Sequence, residues 1–474
     1  MDPATPGSPL PVVLSFDRGT LVLSGLDPGE IRSAFGPALW RWDDRVNAWR
    51  SEALHAPRAR EILRRRFGAR LRDEIPDPPR IAWPVFRLPP LRPDQAAAAA
   101  AWRAAEGRGQ VIMPTGTGKT EVALALMAES ATATLVVAPV RDLMYQWHRR
   151  ILHGLGVDAG IVGDSLHDVR PVTVTTYDSA YIHAGELGDR FGLLIFDEAH
   201  HLPGPSYREA ALSSTAPLRL ALTATPERAD GLHADLDRLV GPVVYRQGLP
   251  EAAGSTLADY DVVRIPVALT PREQALYEEA GRVVRRFLLS RREARPGYDG
   301  RDLCAESGRD PEARRALRAY HLRRSIEDRA SEKLRVLEDL FRIHRGERTI
   351  VFAGTNAMAL DVSRRFLVPT ILSHTRKRER LAVLEGFSAG RFPVLVANRV
   401  LDEGVDLPAA KVAVVIGGQA STRQAQQRLG RILRKWGPAR AVLYEVVTEE
   451  TGEEECSRRR RRSDAYARTR HRRL

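Results

Sequence analysis

The clearest candidate for chemistry is a short loop between an apolar run and a stretch with helical spacing. Glycines let such a loop curl so that successive N–H groups point at an anion, and the following helix N-terminus adds partial positive charge. Lys119 is placed to reach the β- and γ-phosphates of a nucleotide, and the Thr120 hydroxyl to bind Mg²⁺. The usual phosphate-loop pattern is Gly-x-x-x-x-Gly-Lys-Ser/Thr, and Met113 stands where that pattern has its first glycine. A purely structural turn therefore remains an alternative for the loop alone. The nucleotide-binding candidates are Pro114, Thr115, Gly116, Thr117, Gly118, Lys119 and Thr120.

Lysine is rare in this chain, and that rarity strengthens the interpretation of the loop. The 73 lysines and arginines include only five lysines, so arginine is the default cation. A lysine kept at position 119 indicates that the loop needs a compact point charge where a planar guanidinium would not fit.

Two adjacent acids, Asp197 and Glu198, follow an apolar strand downstream of the loop. An acid at a strand tip that faces a phosphate loop can hold Mg²⁺, usually through water. Its neighbour projects differently and can orient or deprotonate the attacking water. Paired acids are also common at helix starts, but their occurrence together with the loop favours a site for ATP hydrolysis.

A basic helix far along the chain offers further charges for the same reaction. Arg431 and Arg434 lie three positions apart and therefore share a helix face. Contributed across a cleft by a second block, such a pair can stabilise the charge that develops on the γ-phosphate, as arginine fingers do. A solvated basic face is the alternative, and it is the expectation for Arg428. Two blocks that close on ATP and grip a polyanion would act as a motor.

These residues must be positioned by buried strands that alternate with helices, and this pattern predicts an α/β fold with two parallel sheets. Ligands of such sheets gather at the carboxyl ends of the strands, where the polar clusters fall. The first block has strands Thr134 to Ala138, Val172 to Thr176, Leu193 to Phe196 and Leu218 to Leu222. The second has Thr349 to Phe352, Val394 to Ala397, Val412 to Ile416 and Ala441 to Val447.

The remaining segments complete the expected domain plan. A small α+β unit near the N-terminus contains a hairpin from Trp40 to Arg50, whose tryptophans either form its core or stack on bases. Charged helices from Arg272 to Ser290 and from Pro311 to Arg345 flank a polar loop. The plan is an N-terminal domain and linker at 1–85, a first nucleotide-binding domain at 86–250, a helical connector at 251–345, a second sheet domain at 346–450 and a basic tail at 451–474.

Composition points to a polyanionic partner. The formal net charge is +13 and the pI about 10.1, which favours nucleic acid first and an acidic membrane surface second. Cys304 and Cys456 stand far apart without ligand spacing, which argues against a disulfide framework or a zinc–cysteine site. No apolar run is long enough to span a bilayer. We therefore expect no membrane partner and a cytoplasmic location, associated with the nucleoid in a prokaryote.

The ordered motifs, taken together, resemble those of superfamily 2 helicases and are highly specific as a set. The resemblance covers nearly everything from Leu91 to Val447, and it implies two RecA-like domains that bind ATP and Mg²⁺ between them and DNA across their tops. The motifs are Gly116-Thr117-Gly118-Lys119-Thr120, Asp197-Glu198-Ala199-His200, Thr223-Ala224-Thr225, Glu403-Gly404-Val405-Asp406 and Gln427-Arg428-Leu429-Gly430-Arg431-Ile432-Leu433-Arg434.

Within that superfamily the chain is most similar to the XPB family of DNA helicases and translocases of nucleotide excision repair. The segment from Leu91 to Gln95 resembles the family's adenine-side motif, and the unit from Trp42 to Arg50 its damage-recognition domain. The helices between Arg272 and Arg345 are expected to hold its thumb-like element. The resemblance implies that Arg92 and Gln95 lie by adenine, that Gly404 and Asp406 approach the nucleotide, and that Gln427 acts with Arg431 and Arg434 in catalysis. It also implies that Thr223 and Thr225 couple ATP to DNA. The residues implied to contact DNA phosphates are Arg141, Thr176, Thr355 and Asn356.

One departure from the family matters. XPB proteins carry an Arg-Glu-Asp element after the Thr-Ala-Thr motif, and here those positions read Arg228-Ala229-Asp230. Arg228 can grip a phosphate or stack on an opened base of the DNA. It can equally pair with Asp230 or cap a helix. The missing acid makes strand separation a weaker expectation than ATP hydrolysis.

The sequence therefore predicts an ATP-dependent DNA helicase or double-strand translocase that moves 3′ to 5′ on duplex or forked DNA, in repair. The nearest alternative is the same scaffold serving recombination, phage replication or restriction. Another is an ATP-driven clamp that positions a partner such as a nuclease or other repair protein without unwinding. RNA is a less favoured substrate, although no residue excludes it.

Overall fold

The computed structural model describes residues 11–228, 230–253, 256–398, 410–417 and 440–461. The chain divides into two compact units, one of residues 1–114 and 118–247 and one of residues 115–117 and 248–474. Each unit is described by itself.

The first unit begins with a small α+β domain, as the sequence predicts. Its five-stranded sheet has the order β3-β4-β2-β1-β5, with β5 parallel to β1 and the other pairs antiparallel. The expected hairpin is confirmed as β3 and β4. Trp40 lies in the core, whereas Trp42 is 45% exposed and its indole N–H donates to the Asp44 carboxylate at 2.8 Å. The elements are β1 Val12–Asp17, β2 Thr20–Ser24, α1 Pro28–Phe35, β3 Arg41–Asp43, β4 Ala48–Glu52, α2 Ala56–Phe67 and β5 Leu71–Asp73.

The rest of the first unit is built on an eight-stranded sheet that is parallel except for its last pair. The strand order is β13-β6-β12-β11-β7-β10-β8-β9, and apolar clusters fill both faces, which explains the uninterrupted apolar runs. All four predicted strands are confirmed as β7, β10, β11 and β12. The strands are β6 Arg108–Ile112, β7 Thr134–Ala138, β8 Gly160–Gly163, β9 Leu166–His167, β10 Val172–Thr176, β11 Leu193–Asp197, β12 Leu218–Thr223 and β13 Val243–Arg246. The helices are α3 Pro93–Ala104, α4 Lys119–Ser130, α5 Arg141–Leu155, α6 Tyr177–Ile182, α7 Ala184–Leu187, α8 Glu209–Leu212 and α9 Leu236–Leu239.

The second unit contains a six-stranded parallel sheet with the order β14-β19-β18-β15-β17-β16. The four strands predicted for this block are confirmed as β15, β17, β18 and β19. The strands are β14 Tyr260–Val267, β15 Thr349–Ala353, β16 Thr370–Ile371, β17 Val394–Ala397, β18 Val412–Ile416 and β19 Ala441–Thr448. The helices are α10 Leu249–Ala252, α11 Pro271–Ala294, α12 Gly300–Glu306, α13 Pro311–Asp328, α14 Ser331–Ile343, α15 Asn356–Phe366, α16 Lys377–Ser388 and a final helix Gly452–Arg460.

The long helix predicted from Pro311 to Arg345 is two helices, α13 and α14, and the expected polar loop before it contains α12. The break has a physical cause in Lys333, whose buried ammonium donates to the carbonyl oxygens of Glu327 at 2.7 Å and Asp328 at 3.5 Å. In a continuous helix those carbonyls would accept from backbone N–H groups four residues on. The same ammonium pairs with the Glu453 carboxylate at 2.6 Å.

A second buried cation, Arg219, lies in β12 of the first unit and is fully enclosed. Its guanidinium donates to four backbone carbonyl oxygens between 2.7 and 3.1 Å. Burial, with the nearby charge of Arg108 adding to it, lowers the pKa of this guanidinium. The acceptors belong to Ala211, Ser214, Ala216 and Leu239. Arg219 therefore joins the segment before β12 to α9.

None of the helices in the described ranges is both long enough and apolar enough to cross a membrane.

Candidate active site

The predicted loop joins β6 to α4, so its strand–loop–helix context is confirmed. Two glycines take left-handed conformations, Gly116 with φ 88° and Gly118 with φ 77°. At the φ of Gly118 a side chain would be strained, and a Cβ there would also lie 2.4 Å from the Gln95 side-chain nitrogen, so glycine is favoured at this position. Lys119 starts the helix, and its Nζ donates to the carbonyl oxygens of Met113 at 3.1 Å and Pro114 at 3.4 Å. The ammonium is thus folded over the loop.

The start of α3 packs against this loop. Gln95 Nε2 donates to the Gly118 carbonyl at 3.2 Å, and Gln95 Oε1 accepts from the Arg92 backbone N–H at 3.0 Å. The Arg92 guanidinium lies 3.7 Å from the same Cβ position on Gly118. The structure therefore places both adenine-side candidates next to the phosphate-loop candidates.

The acid pair stands at the end of β11, two strands from the loop at the same edge of the sheet. Asp197 Oδ2 accepts from the Trp147 indole N–H at 2.8 Å, and Oδ1 accepts from the Glu198 backbone N–H at 3.0 Å. Glu198 itself has a left-handed backbone, with φ 47° and ψ 53°. A non-glycine residue in this conformation carries strain of about 1–3 kcal/mol, which is typical of active sites.

Tyr177 stabilises the backbone of the acid pair, because its hydroxyl donates to the Asp197 carbonyl oxygen at 3.0 Å. Burial, with the charges of Asp197 and Glu198 adding to it, raises the pKa of the Tyr177 phenol, so it remains a donor. Neither Tyr177 nor Trp147 was found by sequence reasoning. A buried indole or phenol needs an acceptor, but sequence spacing does not reveal which one.

A chain of contacts leads from the acid pair to the end of β12. The fully buried His200 has Nδ1 3.5 Å from Glu198 Oε2 and 3.3 Å from Thr223 Oγ1. Thr223 Oγ1 also accepts from the Thr225 backbone N–H at 3.2 Å. The strand that carries Thr223 lies between β6 and β11, and the Met113 N–H donates to the Thr223 carbonyl at 3.1 Å. His200 is thus a connecting residue to which sequence reasoning gave no role.

Arg228 is held by its neighbours. Its Nε and Nη2 donate to the two carboxylate oxygens of Asp230 at 2.9 and 2.6 Å, and Nη1 donates to the His200 carbonyl at 2.7 Å. The hydrogen bond from Arg228 lowers the pKa of Asp230 to about 2, so this carboxylate stays charged at neutral pH. Of the alternatives that the sequence left open for Arg228, the structure shows the pair with Asp230. Ala229 lies outside the described residues.

The candidate DNA contacts fall into two pairs, one in each unit. Arg141 and Thr176 line a cavity of about 850 Å³ in the first unit, where Arg141 Nη1 donates to Asp164 Oδ1 at 2.6 Å. In the second unit Thr355 caps α15 and donates to Asp328 Oδ2 at 2.6 Å, and its neighbour Asn356 accepts from the Asn398 side-chain amide. Five further candidates lie outside the described residues: Gly404, Asp406, Gln427, Arg431 and Arg434.

The described residues fit a magnesium nucleotide. Two left-handed glycines lead directly into the N-terminus of a twelve-residue helix, which is an anion-binding arrangement. Thr120 in that helix and Asp197 at the sheet edge supply the hydroxyl and carboxylate oxygens that Mg²⁺ prefers. The adjacent Glu198 supplies an acid that can act on water.

Three family models match separate parts of the chain. They are the Xeroderma pigmentosum group B helicase damage recognition domain at residues 14–75, the type III restriction enzyme res subunit at 88–228 and the helicase conserved C-terminal domain at 332–435. The matches follow the order of the N-terminal domain and the two parallel-sheet blocks.

Curated relatives agree with these matches. The chain is 40% identical over 433 residues to the DNA 3′-5′ translocase XPB2 of Sulfurisphaera tokodaii, covering 91% of this chain and 97% of that protein. It is 30% identical over 372 residues to the DNA 3′-5′ helicase XPB of Mycobacterium tuberculosis, covering 76% of this chain and 61% of that protein.

Solved structures share the fold. The helicase domain of Pyrococcus furiosus Hef gives a TM-score of 0.54 at 18% identity, covering 77% of this chain and 97% of that one. Saccharomyces cerevisiae Dbp5 bound to RNA and ADP BeF3 gives a TM-score of 0.54 at 14% identity, covering 81% and 89%. The two parallel-sheet blocks are therefore RecA-like, as the sequence predicts.

Proposed function

Because the chain belongs to the XPB family of superfamily 2 helicases, we propose that it hydrolyses ATP to move 3′ to 5′ along duplex or forked DNA and open it, in nucleotide excision repair. The observation that carries this proposal is the contact chain from Glu198 through His200 to Thr223. It joins a candidate hydrolytic acid to the segment that leads to Arg228. A DNA motor needs such a connection between the site that hydrolyses ATP and the surface that binds DNA.

In the proposed reaction each residue of the candidate site has one role. Lys119 and the helix N-terminus bind the β- and γ-phosphates, and Thr120 and Asp197 hold Mg²⁺, which would draw charge off the γ-phosphate. Trp147 fixes the Asp197 carboxylate through its 2.8 Å hydrogen bond. Glu198 orients the attacking water and takes its proton. Arg92 and Gln95 bind the adenine side.

Coupling to DNA would run through the edge of the sheet. Loss of the γ-phosphate changes the charge that faces Glu198, and His200 touches both Glu198 and Thr223. A shift of His200 would then move Thr223, whose hydroxyl accepts from the Thr225 N–H, and Arg228, which donates to the His200 carbonyl. Small displacements can be amplified in this way because packed cores change between discrete arrangements.

The direct test is the rate of ATP hydrolysis with duplex DNA, forked DNA, single strands and RNA in parallel. We expect stimulation by duplex or forked DNA and little by RNA. Displacement of a strand from a fork, beside displacement of a third strand from a triplex, separates opening of the duplex from translocation alone. Triplex displacement without fork opening would favour a translocase or a clamp that positions a nuclease. Absence of stimulation by any DNA would overturn the proposal.

DNA binding is expected to weaken by at least about tenfold between roughly 50 and 200 mM salt, because phosphate contacts release counterions. The formal charge of +13 and the Arg141 side chain, which is 69% exposed, support such contacts. Arg141→Ala should reduce the slope of log affinity against log salt by about one, at any DNA sequence. Arg149, exposed on the same helix but not lining the cavity, is the matched control. An affinity for DNA that does not change with salt concentration would contradict binding through the phosphate backbone.

Arg228→Ala and Asp230→Asn are expected to lower ATP hydrolysis and fork opening together. Arg228→Ala removes the tether between the segment after β12 and the His200 carbonyl, and Asp230→Asn weakens the ion pair that holds the Arg228 guanidinium in that tether. Changes along such networks alter coupling by about 0.5–2 kcal/mol, or roughly two- to thirtyfold. If Arg228→Ala lowers fork opening alone while Asp230→Asn leaves it unchanged, Arg228 acts on the DNA as a wedge and the tether is not the cause.

A further inference from the structure

Two histidines and a glutamate meet on the surface of the first unit, away from the acid pair. His167 Nε2 lies 3.1 Å from Glu186 Oε1, and His183 Nδ1 lies 3.8 Å from Glu186 Oε2. The two imidazole rings are 4.6 Å apart between centroids. Ligand atoms of all three side chains fall within 4.8 Å of one another, and across the part of the chain that the structure describes no other group of three or more does so.

We propose that His167, His183 and Glu186 form a binding site for a divalent transition-metal ion, with Zn²⁺ as the ion that fits best. Two imidazole nitrogens and one carboxylate oxygen are a donor set that zinc uses in proteins, with a fourth position open to water. Ligand bonds of 2.0–2.2 Å place tetrahedral ligand atoms about 3.3 Å apart. The separations of 3.1 Å from His167 Nε2 to Glu186 Oε1 and 3.8 Å from His183 Nδ1 to Glu186 Oε2 are close to that spacing.

Exposure allows the remaining adjustment. The side chains of His167, His183 and Glu186 are between 35 and 44% exposed, so each can rotate slightly and the fourth position can hold solvent water. Metal binding uses neutral imidazole and ionised carboxylate, which are the side-chain types that meet here.

The ligands come from two elements that the metal would join. His167 ends the β8–β9 hairpin, whose turn residues Asp164 and Ser165 both have left-handed backbones. The other two ligands lie at the corner of α6 and α7. Bound metal would therefore fasten the hairpin to this corner.

The same corner supports the N-terminal domain. A Cβ on Gly185 would lie 3.2 Å from the Arg18 carbonyl oxygen, and one on Gly188 would lie 2.6 Å from the Phe16 ring. The metal site thus lies beside the surface on which this domain packs. Stiffening α7 would stabilise that packing.

His167 and His183 also line the cavity that holds Arg141 and Thr176. A bound divalent ion would add two positive charges at its rim and strengthen attraction for phosphates. This consequence rests on the proposed function, whereas metal binding itself does not.

Metal binding is tested directly on the untagged full chain. Co²⁺ serves as a spectroscopic probe, and Zn²⁺ is titrated against a chromogenic chelator. Excess Mg²⁺ is present throughout so that oxygen-ligand sites remain filled with it. We expect one equivalent of metal, and a rise in melting temperature on adding Zn²⁺. His183→Ala and Glu186→Gln should each weaken binding at least about tenfold and remove the rise, since changes even beyond the ligands cost that much.

His148→Ala is the matched control, because His148 forms an exposed pair with Asp158 at 3.1 Å and belongs to no such three-residue group. It should bind metal as the unaltered chain does. Melting without metal shows that each variant is folded, and Glu186→Gln keeps the side-chain shape if an alanine variant does not fold. The proposal is overturned if the unaltered chain takes up no stoichiometric metal, or if Glu186→Gln binds as tightly as it does. A loss of metal binding with unchanged ATP hydrolysis leaves the proposed function standing.

Discussion

Glu198→Gln is expected to lower the rate of ATP hydrolysis by at least about a hundredfold while ATP still binds, because an amide cannot take a proton from water and general-base catalysis contributes that much. Glutamine keeps the shape of the side chain next to His200 and the same left-handed backbone at φ 47°. The change therefore isolates the acid. Single-turnover hydrolysis, measured beside equilibrium binding of ATP, separates the chemical step from affinity.

Lys119→Ala should cause a loss of similar size for a different reason. It removes the charge that binds the β- and γ-phosphates, so ATP affinity should fall as well. Lys411 in the second unit is a control, because it is half exposed and pairs with Glu347 at 3.6 Å. Near-normal hydrolysis in either Lys119→Ala or Glu198→Gln would refute the assignment of the site.

Arg219→Ala is expected to produce the largest loss of stability in the first unit. Each buried carbonyl left without its donor costs about 1–3 kcal/mol, so losing the donor to the carbonyls of Ser214, Ala216 and Leu239 should cost more than about 3 kcal/mol. The midpoint of urea unfolding of the first unit measures this. Because a loss of that size can prevent folding, the yield of folded protein is itself part of the result.

Two further variants show whether hydrogen bonding is the cause. Arg219→Met keeps most of the side-chain volume but donates no hydrogen bond, so it should be nearly as unstable as Arg219→Ala. Arg65 is 83% exposed and pairs with the exposed Glu61, so Arg65→Ala should change stability by less than about 0.5 kcal/mol. Full stability in Arg219→Met would show that packing, not the four hydrogen bonds, is what Arg219 supplies.

The sequence predicts strands well where both faces are buried. Strands β7, β10, β17 and β18 have the predicted bounds, because short runs of apolar and β-branched residues are typical of strands buried on both faces. It also predicts that the loop and the acid pair lie at one edge of the sheet, since carboxyl ends of parallel strands meet there.

What the sequence does not predict is the choice of partner for a polar side chain. Trp147 stands 50 positions from the Asp197 carboxylate that it holds, and nothing local to either residue identifies the other. Arg219 interrupts an apolar strand, yet its acceptors come from two other parts of the chain, residues 211–216 and Leu239 at the end of α9. At the break before Ser331 the Ser331 N–H donates to the Glu273 carboxylate, 58 positions away, and this tertiary contact overrides helical propensity.

Because the chain has only five lysines, the reaction of each one with an amine-acylating reagent can be followed separately. Lys333 in the second unit is fully enclosed, so acylating reagents reach it only when that unit opens, whereas Lys119 is 8% exposed in the candidate phosphate loop and reports access to the loop itself. Lys411, half exposed, calibrates the reagent within the same molecule. Digestion and mass spectrometry would then give the opening rate of the second unit from Lys333 and the accessibility of the loop from Lys119, and bound nucleotide would slow acylation at Lys119 through direct contact.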